Sequence, residues 1–230
     1  MADYDGILLV DKPLTWSSFD VVAKIRGTLR RETGNRKIKV GHAGTLDPLA
    51  TGLLIVLVGS YCKQAASFSG LDKRYVTTMR LGYESTTGDE EGEKRAISDT
   101  QPTQNEVMRA CQSFIGEYDQ IPPAFSAKKV DGKRAYDLAR RGETVAIAAK
   151  QVIVSNLAVI DYAYPYLTID TTVSSGTYVR ALAEDIGKAL RCGAYVTELR
   201  RTHIGSHSVA DAHTVEQVSI EPKKYLLTNL

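Results

Sequence analysis

Asp47 is the residue of this 230-residue sequence best placed to do chemistry. It stands in Gly41-His42-Ala43-Gly44-Thr45-Leu46-Asp47-Pro48-Leu49-Ala50-Thr51-Gly52, after a short extended run ending near Val40 and before the apolar run Leu53 to Val58. Pro48 biases the residue before it toward extended backbone, so the carboxylate is held in one pose. Gly41, Gly44 and Gly52 permit positive φ or the close approach of another chain, which lets a bulky ligand reach the acid. A fixed carboxylate in such a loop suits a nucleophile or a base. The same residue types also make ordinary turns, because Asp before Pro and Gly beside Asp mark many loops without chemistry.

Other groups that could serve a reaction are spread along the chain. Tyr75 follows Lys73 and Arg74, which sets an aromatic ring beside a pair of phosphate-binding cations; an aromatic residue in a strand also serves simply as core or sheet surface. Arg180 follows Ser174-Ser175-Gly176-Thr177-Tyr178-Val179 and stands four residues before Glu184, the spacing of a surface ion pair. The formal net charge of +2 conceals strong segregation. Lys24, Arg26, Arg30, Arg31, Arg36, Lys37 and Lys39 are opposed only by Glu32, and Lys128, Lys129, Lys133, Arg134, Arg140 and Arg141 only by Asp131 and Asp137. An acidic run from Glu84 to Glu93 offsets them. On one face the two basic stretches would bind phosphates; apart, each is a solvated surface. His203 and His207 are four apart, but Gly205 and β-branched neighbours disfavour the helix that would align them on a metal. Cys62, Cys111 and Cys192 are odd in number and lack a Cys-x-x-Cys pair, which argues for free thiols rather than a disulfide frame or zinc site.

Elements able to position these groups can be read from periodicity. Gly6 to Val10 reads as a buried strand. Ser17 and Asp20 have capping-box spacing ahead of Val21, Val22, Ile25 and Leu29, a helix that stops at Gly34. Leu53 to Val58 reads as a buried strand, Tyr61 to Phe68 as a short helix and Lys73 to Gly82 as an alternating strand. Glu84 to Glu93 reads as a polar loop, and Thr103 with Glu106 caps a helix through Phe114. Asp131-Gly132 signals a hairpin and Ala135 to Arg141 a short helix. Val152 to Asp161 and Tyr166 to Ser174 form strands about Pro165. Val179, Leu182, Ala183, Ile186 and Leu190 line one helical face that ends at Cys192-Gly193, before a strand from Ala194 to Ser206. With 43% hydrophobic residues, no dividing linker and no repeat, the chain suits one α/β unit, and Ile7 to Val10 is too short for a signal peptide or membrane span.

The run from Gly41 to Gly52 resembles the signature of the TruB family of tRNA pseudouridine synthases, with Ala43 where many members have threonine. Asp11-Lys12-Pro13 with Ser17-Ser18, Lys73-Arg74-Tyr75, Ile121 to Tyr136, and Ser174 to Arg180 resemble further motifs of that family, so the likeness covers nearly the whole chain. It implies that Asp47 is catalytic, that Arg180 stands against it, and that Tyr75 stacks on the target base. It implies that Tyr178 and Leu199 line the base pocket, that Lys12 supports the active-site architecture, and that the segment with Lys128 and Lys129 grips RNA. The implied fold is a mixed, mainly antiparallel sheet with flanking helices. Residues 1–230 are expected to form one catalytic domain, without the C-terminal PUA domain of many members.

The implied reaction converts uridine to pseudouridine at position 55, in the T-arm loop of tRNA. A stacked base must be flipped out to react, and His42 is then a candidate to fill the vacated space. No cofactor or metal is expected, since no nucleotide-binding glycine motif or metal-ligand cluster is present. The expected partner is tRNA, with no membrane and no obligatory protein partner, for a cytoplasmic monomer. Two other classes fit parts of the sequence. A tRNA-binding or tRNA-folding module without catalysis would use the basic segments but give Asp47, Tyr75 and Arg180 no common purpose. An aspartate-dependent hydrolase of small glycosides would want a second flanking carboxylate, and these motifs offer none.

Overall fold

The computed structural model describes residues 4–123, 125, 129–130, 133–134, 141 and 147–228. Along the chain lie β1 (Gly6–Lys12), α1 (Ser18–Thr33), β2 (Val40–Ala43), β3 (Ala50–Val58), a 3-10 turn over Gly59–Gln64, α2 (Ala65–Gly70), β4 (Lys73–Leu81), β5 (Tyr83–Ser85) and β6 (Lys94–Ala96). These are followed by α3 (Gln104–Gln112), β7 (Gly116–Gln120), β8 (Lys129–Val130), β9 (Lys133–Arg134), β10 (Lys150–Ala163) and β11 (Tyr166–Val173). The chain continues with α4 (Val179–Ala189), β12 (Ala194–Ile204), β13 (His207–Ser208), β14 (His213–Thr214) and α5 (Val215–Ile220). The main sheet is mixed and mainly antiparallel, as the family resemblance implies; β1 with β14 and β3 with β12 are parallel pairs. Two units divide the chain, Met1–Tyr75 with Leu199–Leu230, and Val76–Glu198.

In the first unit β1 and β3 pair antiparallel, with Leu8 opposite Val56 and Leu9 opposite Ile55. The two-residue period of a strand sends alternate apolar side chains to opposite faces. Leu8, Val10, Leu54, Val56 and Val58 pack with Val21, Ile25 and Leu29 of α1 and with Val215 and Val218 of α5. Ile7, Leu9, Leu53, Ile55 and Leu57 pack with Phe68 and Ile204 on the other face. Both faces of these strands are therefore covered, which explains their unbroken apolar runs. The start of α1 is a capping box in which Ser17 accepts from the Asp20 N–H and Asp20 accepts from the Ser17 N–H, and Gly34 closes the helix in the left-handed region at φ 68°.

In the second unit β10 lies between β11 and β7, both antiparallel to it. Helix α3, with its Thr103–Glu106 capping box, packs on β10 and α4. The acidic run is partly ordered by secondary structure: β5 and β6 pair around it, so what reads as a plain polar loop is the tip of a hairpin. Strands β8 and β9 pair through Val130 and Lys133, on either side of the hairpin turn expected from sequence. That turn, Asp131-Gly132, and the helix expected from Ala135 lie outside the described residues. Among the described residues no helix is long and apolar enough to cross a membrane.

Candidate active site

Strand β2 gives way at Gly44 (φ 89°), and the chain re-enters the sheet at Ala50, whose N–H donates to the Asp47 carbonyl at 3.0 Å. Asp47 thus opens a tight turn around Pro48 and is itself only partly buried. Its backbone is bracketed on both sides by the segment that follows β1. The Leu46 N–H donates to Ser18 Oγ at 2.7 Å, and Ser18 Oγ donates to the Leu46 carbonyl at 3.0 Å. Beyond the acid, the Thr15 N–H donates to the Pro48 carbonyl at 2.9 Å. Thr15 makes this bond from φ 70°, a region that costs a β-branched residue about 1–3 kcal/mol and persists only where the surroundings enforce it. Replacing Ser18, 2% exposed, by Ala should leave both Leu46 backbone groups unpaired and cost about 1–3 kcal/mol. Urea unfolding of the variant checks this; an unchanged midpoint would remove Ser18 from the clamp.

Arg201 holds the same loop from below. Its side chain is 1% exposed, and it donates from Nε to the Leu53 carbonyl at 2.8 Å, from Nη2 to Gly44 at 3.0 Å and from Nη1 to Thr45 at 3.4 Å. Arg201 is opposite Gly52 in the parallel pairing of β12 with β3. A Cβ on Gly52, which has φ 100°, would sit 2.2 Å from the Arg201 carbonyl oxygen. The close approach that glycine permits here is thus made by the protein's own strand rather than by a ligand.

Lys12 is fully buried, and its ammonium donates to the carbonyls of Pro13 (2.9 Å) and Trp16 (2.5 Å), closing the turn that carries Thr15. Burial lowers its pKa from 10.5 to about 8; the Arg201 charge pushes the same way, while Asp47 and Asp20 oppose the shift. The carboxylate of Asp47 is therefore a close enough neighbour to be felt. Lys73 is buried as well, with its ammonium on the carbonyls of Ser69 (2.6 Å) and Leu71 (2.5 Å). It fastens the end of α2 to β4, which corrects the sequence reading of Lys73 as half of a phosphate-binding pair. Burial, with Arg201 acting the same way, lowers its pKa from 10.5 to about 8. The folded chain then releases this proton before the unfolded chain does, so the lysine's contribution to stability is poorest below pH 8 and improves as pH rises toward 10.5. Wild type should gain on Lys73→Met in urea midpoint between pH 8 and pH 10; parallel pH curves would refute this.

His42 lies on β2, with Nδ1 buried and lacking a hydrogen-bond partner. Burial and the Arg201 charge both lower its pKa, so the ring is neutral at physiological pH. Leu199 pairs with Ala50 at the close of the loop, and Tyr75, 9% exposed, lies on β4. Lys12, His42, Asp47, Tyr75 and Leu199 all belong to the first unit. Tyr178 and Arg180 belong to the second. Tyr178 precedes α4 and exchanges two backbone bonds with the Gln120 side chain. Arg180 is buried, with Nη1 on the Thr87 carbonyl (2.8 Å) and Asp89 Oδ2 (3.1 Å) and Nη2 on the Phe125 carbonyl (3.0 Å). The pairing with Glu184 considered from spacing gives way to Asp89 as the carboxylate bonded to Arg180 within this unit. Lys128 lies outside the described residues, and Lys129 is described only as backbone of β8. His203 and His207 flank the turn between β12 and β13, and among the described residues no group of three or more His, Cys, Asp or Glu is placed to hold a metal.

Sequence reasoning missed Ser18, Thr15 and Arg201 as supports of the loop. For Arg201 a signal existed: in a strand, Arg200 and Arg201 must point to opposite faces, so one of the two turns inward. Arg200 points outward to Asp11, in a bidentate pair at 3.0 and 2.7 Å.

Comparison with known proteins identifies the family. The model of the TruB family pseudouridylate synthase N-terminal domain matches residues 30–179, and that of the tRNA pseudouridylate synthase B C-terminal domain matches residues 180–225. A tRNA pseudouridine synthase B of Phocaeicola vulgatus is 48% identical over 91% of this chain and 90% of its own. A namesake from Burkholderia mallei is 43% identical over 92% of this chain and 68% of its own. Among solved structures, the chain resembles one from a Cbf5-Nop10-Gar1 complex, with 24% identity and a TM-score of 0.71 over 94% of this chain and 54% of that one, a likeness of fold. On the strength of the two domain models and of relatives matched along most of their length, the chain belongs to the TruB family of pseudouridylate synthases.

Proposed function

We propose that this enzyme converts uridine to pseudouridine in tRNA, at position 55 of the T-arm loop. The observation that carries the reading is the clamp on the Asp47 loop: bonds from the Ser18 hydroxyl, the Thr15 N–H and the buried Arg201 guanidinium fix the backbone around an aspartate that is only partly buried. Such preorganisation is what a reaction needs from a group that must act on one atom of a large substrate. The names of its relatives supply tRNA as the substrate.

The bond from C1′ to N1 breaks, the uracil turns, a bond from C1′ to C5 forms, and the proton on C5 is lost while N1 gains one, so that substrate and product are isomers. The target base is flipped out of the loop to reach the acid. Asp47 acts as the anion at the ribose–uracil unit. Tyr75 stacks on the base, and Leu199 lines its pocket; neutral His42 fills the space the base has left. Lys12 keeps the Pro13–Trp16 turn closed beneath Asp47. Arg180 and Tyr178 serve the same reaction, as the resemblance implies, and Lys128 and Lys129 grip the RNA. None of these steps calls for a metal or an organic cofactor.

Pseudouridine mapped at nucleotide resolution on bulk tRNA should appear at one position of the T-arm loop and nowhere else. A signal confined to another arm would overturn the assignment of position. Binding should weaken as salt rises, and charge reversal at Lys128 and Lys129 should reduce the logarithmic salt slope by somewhat under one unit for each phosphate that is no longer neutralised. An unaltered slope would move the RNA surface elsewhere.

A further inference from the structure

The first unit holds a cavity of about 760 Å³ whose lining includes neither Asp47, His42 nor Tyr75. Its size falls within the roughly 300–1,000 Å³ of small-molecule sites. Along α1, Lys24, Thr28 and Arg31 lie at i, i+4 and i+7 and share one face, next to the face that buries Val21, Ile25 and Leu29. Lys24 and Arg31 keep exposed side chains there, and Arg31 Nη2 reaches Thr28 Oγ1 at 3.4 Å. Arg200 shares the lining, oriented by its bidentate bond to Asp11. Trp16 is half-buried against the core beneath and presents the rest of its ring to the cavity, beside Pro13. Ser219 also lines it, with a buried Oγ that has no hydrogen-bond partner.

An aromatic ring and cations from α1 and β12 in one lining are what a nucleotide requires: a face on which a base can stack and charge for its phosphate. We propose that this cavity binds a nucleoside phosphate, its base against Trp16 and its phosphate between Lys24, Arg31 and Arg200, at a place that Lys12 and Thr51 also line but Asp47 does not. Two sources share this chemistry, a nucleotide of the RNA that the enzyme modifies and a free mononucleotide. The first rests on the proposed function and the second does not.

Trp16 is the one tryptophan of the chain, so its fluorescence reports the cavity directly. The full chain should be titrated with adenosine and uridine 5′-monophosphates, with a T-arm stem-loop on the Asp47→Asn background, and with inorganic phosphate. Saturable quenching by a mononucleotide, or by the stem-loop, is expected, with the midpoint raised at least about tenfold by Lys24→Glu with Arg31→Glu. Both substitutions fall on exposed positions, and a circular dichroism melt like that of wild type would show that the fold is kept. Quenching by the stem-loop alone would identify the source as RNA, and quenching by mononucleotide alone a free ligand. Silence of Trp16 toward both, a midpoint indifferent to the double reversal, or an equal response to inorganic phosphate would each overturn the proposal. Pseudouridine formation by the same wild-type preparation separates the two ideas: product with a silent Trp16 refutes only the cavity, and a responsive Trp16 without product refutes only the proposed function.

Discussion

Asp47→Asn should abolish pseudouridine formation while leaving tRNA binding nearly unchanged. The substitution keeps the size and the backbone of the residue, so the turn closed by Ala50 and the bonds from Ser18, Thr15 and Arg201 have no reason to alter. What disappears is the negative charge, and a reaction that depends on it should slow by about four orders of magnitude or more, as when other single catalytic groups are removed. Single-turnover assays with saturating enzyme, beside a filter-binding isotherm on the same RNA, measure the two quantities separately. A module that only binds tRNA would show no difference between wild type and variant in any assay. Residual turnover within tenfold of wild type would end the claim that Asp47 is the reacting group.

Arg180→Ala should damage the protein in two ways that a double-mutant cycle can separate. The side chains of Arg180 and Asp89 are 9% and 5% exposed and lie 3.1 Å apart, so deleting the arginine strands a buried carboxylate. Breaking such a pair from one side costs about 3–5 kcal/mol, much of it the penalty of the charge left behind. Asp89→Asn in the same chain removes that charge and should recover part of the loss in urea unfolding. Turnover should not recover with it, because the part proposed for the arginine in the reaction is separate from its hold on Asp89. If activity returns along with stability, Arg180 is a structural residue and its catalytic role falls.

The fold was legible where local chemistry and hydrophobic period agree. Ser17 with Asp20 and Thr103 with Glu106 mark helix starts that the structure places at those residues, and Gly34 stops α1 as its left-handed conformation requires. The capping box of Thr214 with Gln217 carried the same signal and was passed over, because the helix behind it is a single short stretch of six residues. The Asp47 loop itself was legible as a loop and as a family motif. What holds it was not, since Ser18 is 28 residues from Leu46 and Arg201 is 148 from Leu53. No local period relates such pairs. Lys73 misled for a different reason: the side chain is usually read as surface, yet Lys73, like Lys12, is buried with backbone carbonyls accepting hydrogen bonds from its ammonium.

The parallel pairing of β12 with β3 also sets an order of events in the making of the protein. Asp47 is translated first, and the strand that seats its loop, from Leu199 to Arg201, follows only after the whole of the second unit has been made. Long-range parallel pairs form late, after the cost of closing a large loop of chain has been met. A nascent chain can therefore make the Ser18 and Thr15 bonds to the Asp47 loop early, but it lacks the Arg201 hold until that strand has left the ribosome.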